Sequence, residues 1–343
     1  MARACNVALV LLAMTEVIWT QQPRTLDLTL TPEHVHWGFY DSRVAPVLRV
    51  LSGDRIQVET MVAGGLQRLR LAGATESEIP ESLKIVESRV TERGPGVHPM
   101  TGPIFIEGAE PGDTLLVHID AIEPTRDWAV SCLVPYFGGL TSTNLTRTLQ
   151  APLEERVWIY HQTESGGFQY KDRWEIPWAP FFGTIGTAPH IEAISSLAPG
   201  AHGGNMDVPD VTVGNTIHLP VHHPGALFYT GDAHAAQGQG EVCGVALEIA
   251  AVGTFQFEVI SGKTISWPRI ESASEIMVVG SARPMEDAAR IAYTELVGWL
   301  AADFGFDPLD AYQLVTQAGS LYVGNMVDTT YSLVAKLPKR YLG

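Results

Sequence analysis

The feature that most constrains this chain is a recurring punctuation, a glycine followed by Asp or Asn set just ahead of an apolar run. Ser52-Gly-Asp54 precedes Arg55-Ile-Gln-Val-Glu-Thr60, Gly112-Asp113 precedes Thr114-Leu-Leu-Val-His-Ile-Asp120, and Val213-Gly-Asn215 precedes Thr216-Ile-His-Leu-Pro220. Glycine reaches positive φ at little cost and Asp or Asn closes a local side-chain bond, so each device marks a turn. The runs that follow alternate with period two, as a strand with one buried face does. With 33 Gly and 22 Pro in 343 residues, the chain is predicted to build many short strands. The expected fold is mainly β, sandwich- or barrel-like.

Helices are predicted only in the last third, giving an α+β C-terminal section. Pro284 suits a first helical turn, where its missing N–H has no intrahelical partner. Ala289, Ala292, Leu296, Trp299 and Leu300 then follow near-helical spacing, with Gly305 as the stop. A second helix is expected from Asp307-Pro308 to about Ala318, and a strand over Ile276–Val279. The division read from this pattern is a leader over 1–22, a mainly β core over 23–260, and an α+β section over 261–343 that completes the same catalytic unit.

Charge excludes one class of partner. Lys+Arg total 22 against 38 Asp+Glu, a formal net charge of −16, and no stretch is dense in Lys or Arg. Nucleic-acid binding needs a basic footprint, so it is not expected. At the N-terminus, Arg3 is followed by the apolar run Val7–Met14, the pattern of a secretory leader rather than a bilayer-spanning helix. Export to the periplasm or outside the cell is therefore expected, with cytoplasmic residence as the alternative and no membrane association of the mature form. Cys5 falls in the leader, which leaves Cys132 and Cys243 to form one bridge or none. A glycosylation sequon stands at Asn144-Leu-Thr146.

Four segments hold polar residues that strand-building does not call for. They are His34-Val-His36-Trp37-Gly38, the stretch Gly96-Val-His98-Pro-Met-Thr101 leading to Glu107, the loop His202-Gly-Gly-Asn205-Met-Asp207, and Gly231-Asp232-Ala-His234-Ala-Ala-Gln237-Gly-Gln-Gly240-Glu241-Val-Cys243. The last is read as a glycine-rich connection between a strand at Ala226–Tyr229 and another from Val242 to Ala251. Asp232 and His234, two apart, point to one side of an extended segment. A carboxylate beside an imidazole is half of a divalent-metal site, zinc being favoured where nitrogen ligands occur and calcium standing second. Glu241 at an apolar strand start is the candidate proton carrier, because burial lifts a carboxyl pKa. No nucleophile elbow, His-Glu-x-x-His, Walker A or dinucleotide fingerprint is present. Taken singly, most of the 11 histidines are expected to be structural.

At these residues the chain resembles the acetamidase/formamidase family. The matching blocks are Pro46-Val-Leu…Ser52-Gly-Asp54…Glu59-Thr60, Val97-His98…Thr101-Gly-Pro103…Glu107-Gly-Ala-Glu-Pro-Gly-Asp113, Gly183-Thr-Ile-Gly186…Ala188-Pro189, Pro199…His202-Gly-Gly-Asn205-Met-Asp207, and Gly231-Asp232-Ala-His234-Ala-Ala-Gln237-Gly…Gly240-Glu241-Val-Cys-Gly244. The resemblance implies a mostly β, oligomeric, metal-dependent enzyme that hydrolyses a short aliphatic amide to ammonia and a carboxylate. The chain departs from the family pattern at Gln239 and Ser320, where acidic residues are expected, and in its leader.

On this reading Asp232 and His234, with His202 and Asp207, hold the ion. Glu241 and His98 are the catalytic candidates, and His36, Asn205 and Gln237 orient the amide. The alternatives are a larger amide or cyclic imide as substrate, and an exported protein that binds a small ligand on the same scaffold.

Overall fold

The structure is a computed structural model that describes residues 23–140 and 154–343; the leader expected over 1–22, with Cys5, and the sequon at Asn144 lie outside the described residues. Two nine-stranded sheets dominate it. The first runs, edge to edge, through Thr25–Leu28, Arg55–Glu59, Ala251–Ile260, Thr114–Pro124, Thr216–Pro220, Arg269–Glu271, Glu275–Ala282, Tyr331–Pro338 and Ser320–Asn325. All three strands announced by a Gly-Asp or Gly-Asn turn lie in this sheet. The devices work as their chemistry requires: Gly53 sits at φ 93°, and the Asp54 carboxylate accepts from Leu51 N at 2.9 Å.

The second sheet holds Gly203–Asn205, Phe181–Gly186, Phe228–Ala236, Leu247–Ile249, Trp128–Leu133 and Arg156–His161 in that order, with Pro99–Ile106 also paired to Phe228–Ala236. The sheets face each other across one apolar core, in which Phe182 meets Phe255 at 5.2 Å and Phe228 meets Phe257 at 5.0 Å between ring centroids. In the strand Glu275–Ala282 the alternation is visible on both faces. Met277 and Val279 enter the inter-sheet core, while Ile276 and Val278 meet the helices Met285–Phe304 and Pro308–Ala318 through Leu296, Trp299 and Val315. The mainly β architecture with C-terminal helices matches the expectation. Gly305 ends the longer helix at φ 71°, in the left-handed conformation glycine tolerates best. No helix of the described residues is long and apolar enough to cross a membrane.

Three local expectations are corrected. The segment read as strands alone also contains two short helices, Gly65–Leu71 and Glu81–Arg89, whose pairs Leu66/Leu69 and Leu83/Val86 bury one stripe at i,i+3 spacing. The strand expected at 226–229 instead spans Phe228–Ala236, so Asp232 and His234 sit inside a strand and not in a connection. The strand expected from Val242 begins only at Leu247, because a turn closed by Gly244 N to Glu241 O at 2.7 Å occupies the intervening residues.

Asp307 caps the second helix, its carboxylate accepting from Leu309 N at 2.9 Å and Asp310 N at 3.3 Å. Asp307→Ala is expected to cost about 1 kcal/mol, read as a lower midpoint of thermal denaturation with secondary structure unchanged.

Candidate metal centre

Three strands of the second sheet carry the centre. In Phe228–Ala236, Ala233 and Ala235 point into the inter-sheet core, so His234 points to the other side. Its cross-strand partner is Glu248 of Leu247–Ile249, and His234 Nε2 lies 3.4 Å from both Glu248 Oε1 and Asp232 Oδ2. The strand Phe181–Gly186 pairs alongside, antiparallel to Phe228–Ala236, and Asp207 N bonds to Gly183 O at 3.2 Å. Asp207, Asp232 and His234 thereby offer ligand atoms within 4.8 Å of one another, as do His234, Glu241 and Glu248, and Asp207, Glu241 and Asp328.

The residues around these groups fix their direction. Gln237 Nε2 donates to Asp207 O at 2.9 Å and to Gly324 O at 3.0 Å, so its Oε1 must be the acceptor facing His234 Nδ1 at 3.0 Å. The proton on Nδ1 leaves Nε2 as the nitrogen aimed at the carboxylates. His98 is held in the same way, with Nδ1 against Ser196 O at 2.9 Å and Nε2 at 3.7 Å from Asp232 Oδ2. Asn205 Nδ2 donates to Asp207 Oδ2 at 2.7 Å and to Asp328 Oδ2 at 2.6 Å; Asn325 Nδ2 bonds to the same two oxygens, at 2.6 Å to Asp207. Two amides thus tie two carboxylates together and leave Asp207 Oδ1 free.

That oxygen, Asp232 Oδ1 and Glu248 Oε2 are buried without a hydrogen-bond partner. A buried carboxylate oxygen with no donor is costly unless a cation answers it. Gly183 shows where the room is. A Cβ there would lie 2.7 Å from Asp232 Oδ2 and 2.8 Å from His234 Cε1, and nearer still to Asp207 Oδ1. The backbone is bent to the same end: Asp207, Asp232 and Glu241 are three of the seven non-glycine residues with positive φ among the described residues. Orphaned oxygens, a bare glycine and a mixed nitrogen–oxygen donor set all fit a divalent ion.

The electrostatics agree. Burial, and then the neighbouring Asp207, hold the Glu241 carboxyl well above the ordinary range. Asp207 and Glu248 are raised as well, burial first among the causes. Burial would raise Asp232 too, but the facing His98 and His234 outweigh it and hold that carboxyl below its usual range. For His234 desolvation acts downward, and Glu248 with Asp232 overcome it and lift the ring to about 10.

A cavity of about 190 Å³ opens onto the group, lined among others by His98, Asn205, Asp232, Glu241, Glu248, Asp328 and Arg68. A larger apolar cavity of about 630 Å³ lies beyond Glu241 and Val245, with Tyr160 and Tyr170 of the aromatic middle region in its wall.

Of the residues singled out from sequence, Asp207, Asp232, His234, Glu241 and His98 come together here. His202 does not join them. Its ring is buried edge-on to Tyr40 at 4.9 Å, and burial pushes its pKa down to about 3. His36 also stays apart, packed on Phe39 at 4.3 Å and outside the cavity wall. Asn205 and Gln237 are present, with their amide groups bonded to carboxylates, backbone carbonyls and His234. Glu248, Asn325, Asp328 and Gly183 were not singled out for chemistry. Glu248 had a signal, a lone acid in the apolar run Val245–Ala251.

Fold and site together define a two-sheet β protein with a buried imidazole–carboxylate cluster whose residues could hold a metal ion. The chain belongs to the acetamidase/formamidase family, whose sequence pattern matches residues 43–198 and 191–339. The crystal structure of an acetamidase from Yersinia enterocolitica is similar to it, with TM-score 0.82 and 40% identity over 94% of each chain. A predicted acetamidase/formamidase from Thermoanaerobacter tengcongensis gives TM-score 0.79 and 26% identity over 94% of this chain and 98% of that one. Among curated relatives, a putative formamidase of Schizosaccharomyces pombe is 25% identical over 220 residues, 48% of this chain and 52% of its own length. This chain thus spans about half the length of that relative.

Two outcomes are expected. Gly183→Ala should lose most bound metal, by elemental analysis, while keeping its circular dichroism. The second concerns pH. The His234 ring carries its proton up to about 10 in the metal-free fold against 6.5 unfolded, so the folded state binds more protons across that window. Stability of the metal-free protein therefore falls as pH rises through it. The raised carboxyls of Asp207, Glu241 and Glu248 act in the same direction, and Asp232, lowered, acts only at acid pH outside the window. Metal entry displaces these protons, so the rise in melting temperature on adding zinc should be larger at the alkaline end of the window than at the neutral end.

Proposed function

We propose that this chain hydrolyses a short amide to ammonia and a carboxylate at the buried centre, with zinc as the favoured ion and calcium second. The supporting observation is that Asp207, Asp232 and His234 close on the bare Cα of Gly183, while Asp207 Oδ1, Asp232 Oδ1 and Glu248 Oε2 are buried without a hydrogen-bond partner. A divalent ion bound there supplies Lewis-acid polarisation of the carbonyl and a water of lowered pKa. Asp207, Asp232 and His234 are the residues to hold it, with Glu248 beside His234 as a further ligand candidate.

The rest of the work falls to the chain's own side chains. Glu241, a buried carboxyl lining the cavity, is placed to take a proton from water and return it to the leaving nitrogen, which cannot depart as an amide anion. His98, its Nδ1 anchored on Ser196, presents Nε2 from the opposite wall next to Asp232. Asn205 and Asn325 keep Asp207 and Asp328 from drifting apart under their mutual repulsion. The cavity volume of about 190 Å³ suits a small acyl group. The N-terminal leader supports export of the mature enzyme, which N-terminal mass analysis of secreted protein tests. Oligomerisation follows the family resemblance, and light scattering reads it directly.

Glu241→Gln separates the roles open to this residue. The expected outcome is metal content within error of the parent and a fall in kcat of about 10²- to 10⁴-fold on acetamide. Loss of the metal along with the rate would make Glu241 a ligand, and an unchanged rate would remove it from the reaction. Metal analysis of the same preparation decides between zinc and calcium.

A further inference from the structure

The cavity wall combines apolar side chains with the acids Asp232, Glu241, Glu248 and Asp328, His98, Asn205 and a single guanidinium group. Arg68, from the short helix Gly65–Leu71, lines the cavity and also the neighbouring outer cleft of about 440 Å³. The two spaces meet at Arg68, Val97 and Val134. Most arginines of the described residues that face an acid are paired with it within 4.0 Å, among them Arg24 with Asp54 and Arg49 with Glu107. Among the described residues Arg68 makes no such pair, although Glu248 lies in the same cavity and Glu155 in the same cleft. Its charge reaches Glu248, whose carboxyl it helps to lower against the larger effect of burial.

The local backbone is shaped to let Arg68 take this position. Gly64, at φ 87°, leaves the space the side chain crosses, since a Cβ there would fall within 2.7 Å of Nη1 and 2.9 Å of Nε. A second arginine stands in the same outer cleft. Arg93 lies over the Trp37 ring at 4.0 Å and donates to Val90 O and Glu87 O, so it too has no carboxylate partner. In a chain of net charge −16, a cleft with two unpaired guanidinium groups leading to the centre is a local reversal of sign.

We propose that Arg68 forms a carboxylate-binding subsite at the junction of cavity and cleft, so that the substrate is the monoamide of a short dicarboxylic acid. The amide end enters the centre and the carboxylate end stays at the guanidinium, whose fork matches it with two parallel bonds. Water adds to the amide carbon, the C–N bond breaks, and the products are a dicarboxylate and ammonium. This rests on the amide-hydrolase reading for its chemistry, but the binding claim stands on Arg68 and the cleft alone. Cavity and cleft together hold far more than an acetyl group, which is the space a three- to five-carbon chain needs.

The test uses the zinc-loaded enzyme with malonamate, succinamate and glutaramate, each beside its neutral diamide of the same length. Ammonia release gives kcat/KM, and calorimetric titration gives affinity independently of turnover. For at least one chain length the anionic amide should be preferred about tenfold or more on both readouts. Arg68→Gln should bring the ratio close to one, and Arg68→Lys, which keeps the charge without the fork, should lie between. A ratio near one in the parent for all three lengths overturns the subsite while leaving hydrolysis of simple amides intact. A preference that survives in Arg68→Gln removes Arg68 from it. Arg68-dependent binding without ammonia release from any amide keeps the subsite and refutes the hydrolase reading instead.

Discussion

Five carboxyl groups, those of Asp207, Asp232, Glu241, Glu248 and Asp328, are buried within one small volume, and their mutual repulsion is the constraint that the rest of the structure answers. Desolvated like charges at this spacing cannot all ionise together. The protein divides the difficulty. Asp232 keeps its charge between two imidazoles, the others are pushed toward the protonated form, and Asn205 and Asn325 donate to the two aspartates furthest from a histidine. A centre so arranged is poised to exchange protons for a cation.

Holding such a group takes a rigid frame, and the frame explains why the fold is a sandwich. Strands of the second sheet give their alanine and phenylalanine side to the core and their polar side to the centre, so the packing that stabilises the molecule also aims the ligands. The left-handed residues Asp207, Asp232 and Glu241 are tolerated because neighbouring strands over-determine their backbone. Tertiary structure, and not local preference, sets their conformation.

That division also decides what could be read from the chain beforehand. Turn chemistry is local, so Gly53-Asp54 and the capping Asp307 were legible, as were the two C-terminal helices. Asp232 and His234 were legible as a pair because strand geometry relates residues two apart whatever the fold. Glu248 meets His234 only through cross-strand register, and Asn325 and Asp328 arrive from the far end of the chain. No spacing rule connects them. His202 misleads for the opposite reason: its glycine-rich setting resembles a ligand loop, yet those glycines serve close backbone approach, with Gly203 packed against Ile185 O and Gly186. The short helices at 65–71 and 81–89 were hidden because two large buried side chains each, Leu66 with Leu69 and Leu83 with Val86, are too few to establish a period.

The contribution of the C-terminal hairpin has a temporal side. Met326 N bonds to Gly240 O at 3.1 Å and Gly240 N to Val323 O at 2.9 Å, so the turn bearing Glu241 is fastened by residues near the end of the chain. While the chain is being made, more than three hundred residues emerge before Asn325 and Asp328 do. Until then the strands Gly203–Asn205 and Phe228–Ala236 can each pair with Phe181–Gly186, and Asn205 can hold Asp207, but the Glu241 turn lacks these bonds and Asp328 is missing from the cluster. The turn bearing Glu241 and the acids around it therefore reach their final arrangement only after residues 323–328 have been made.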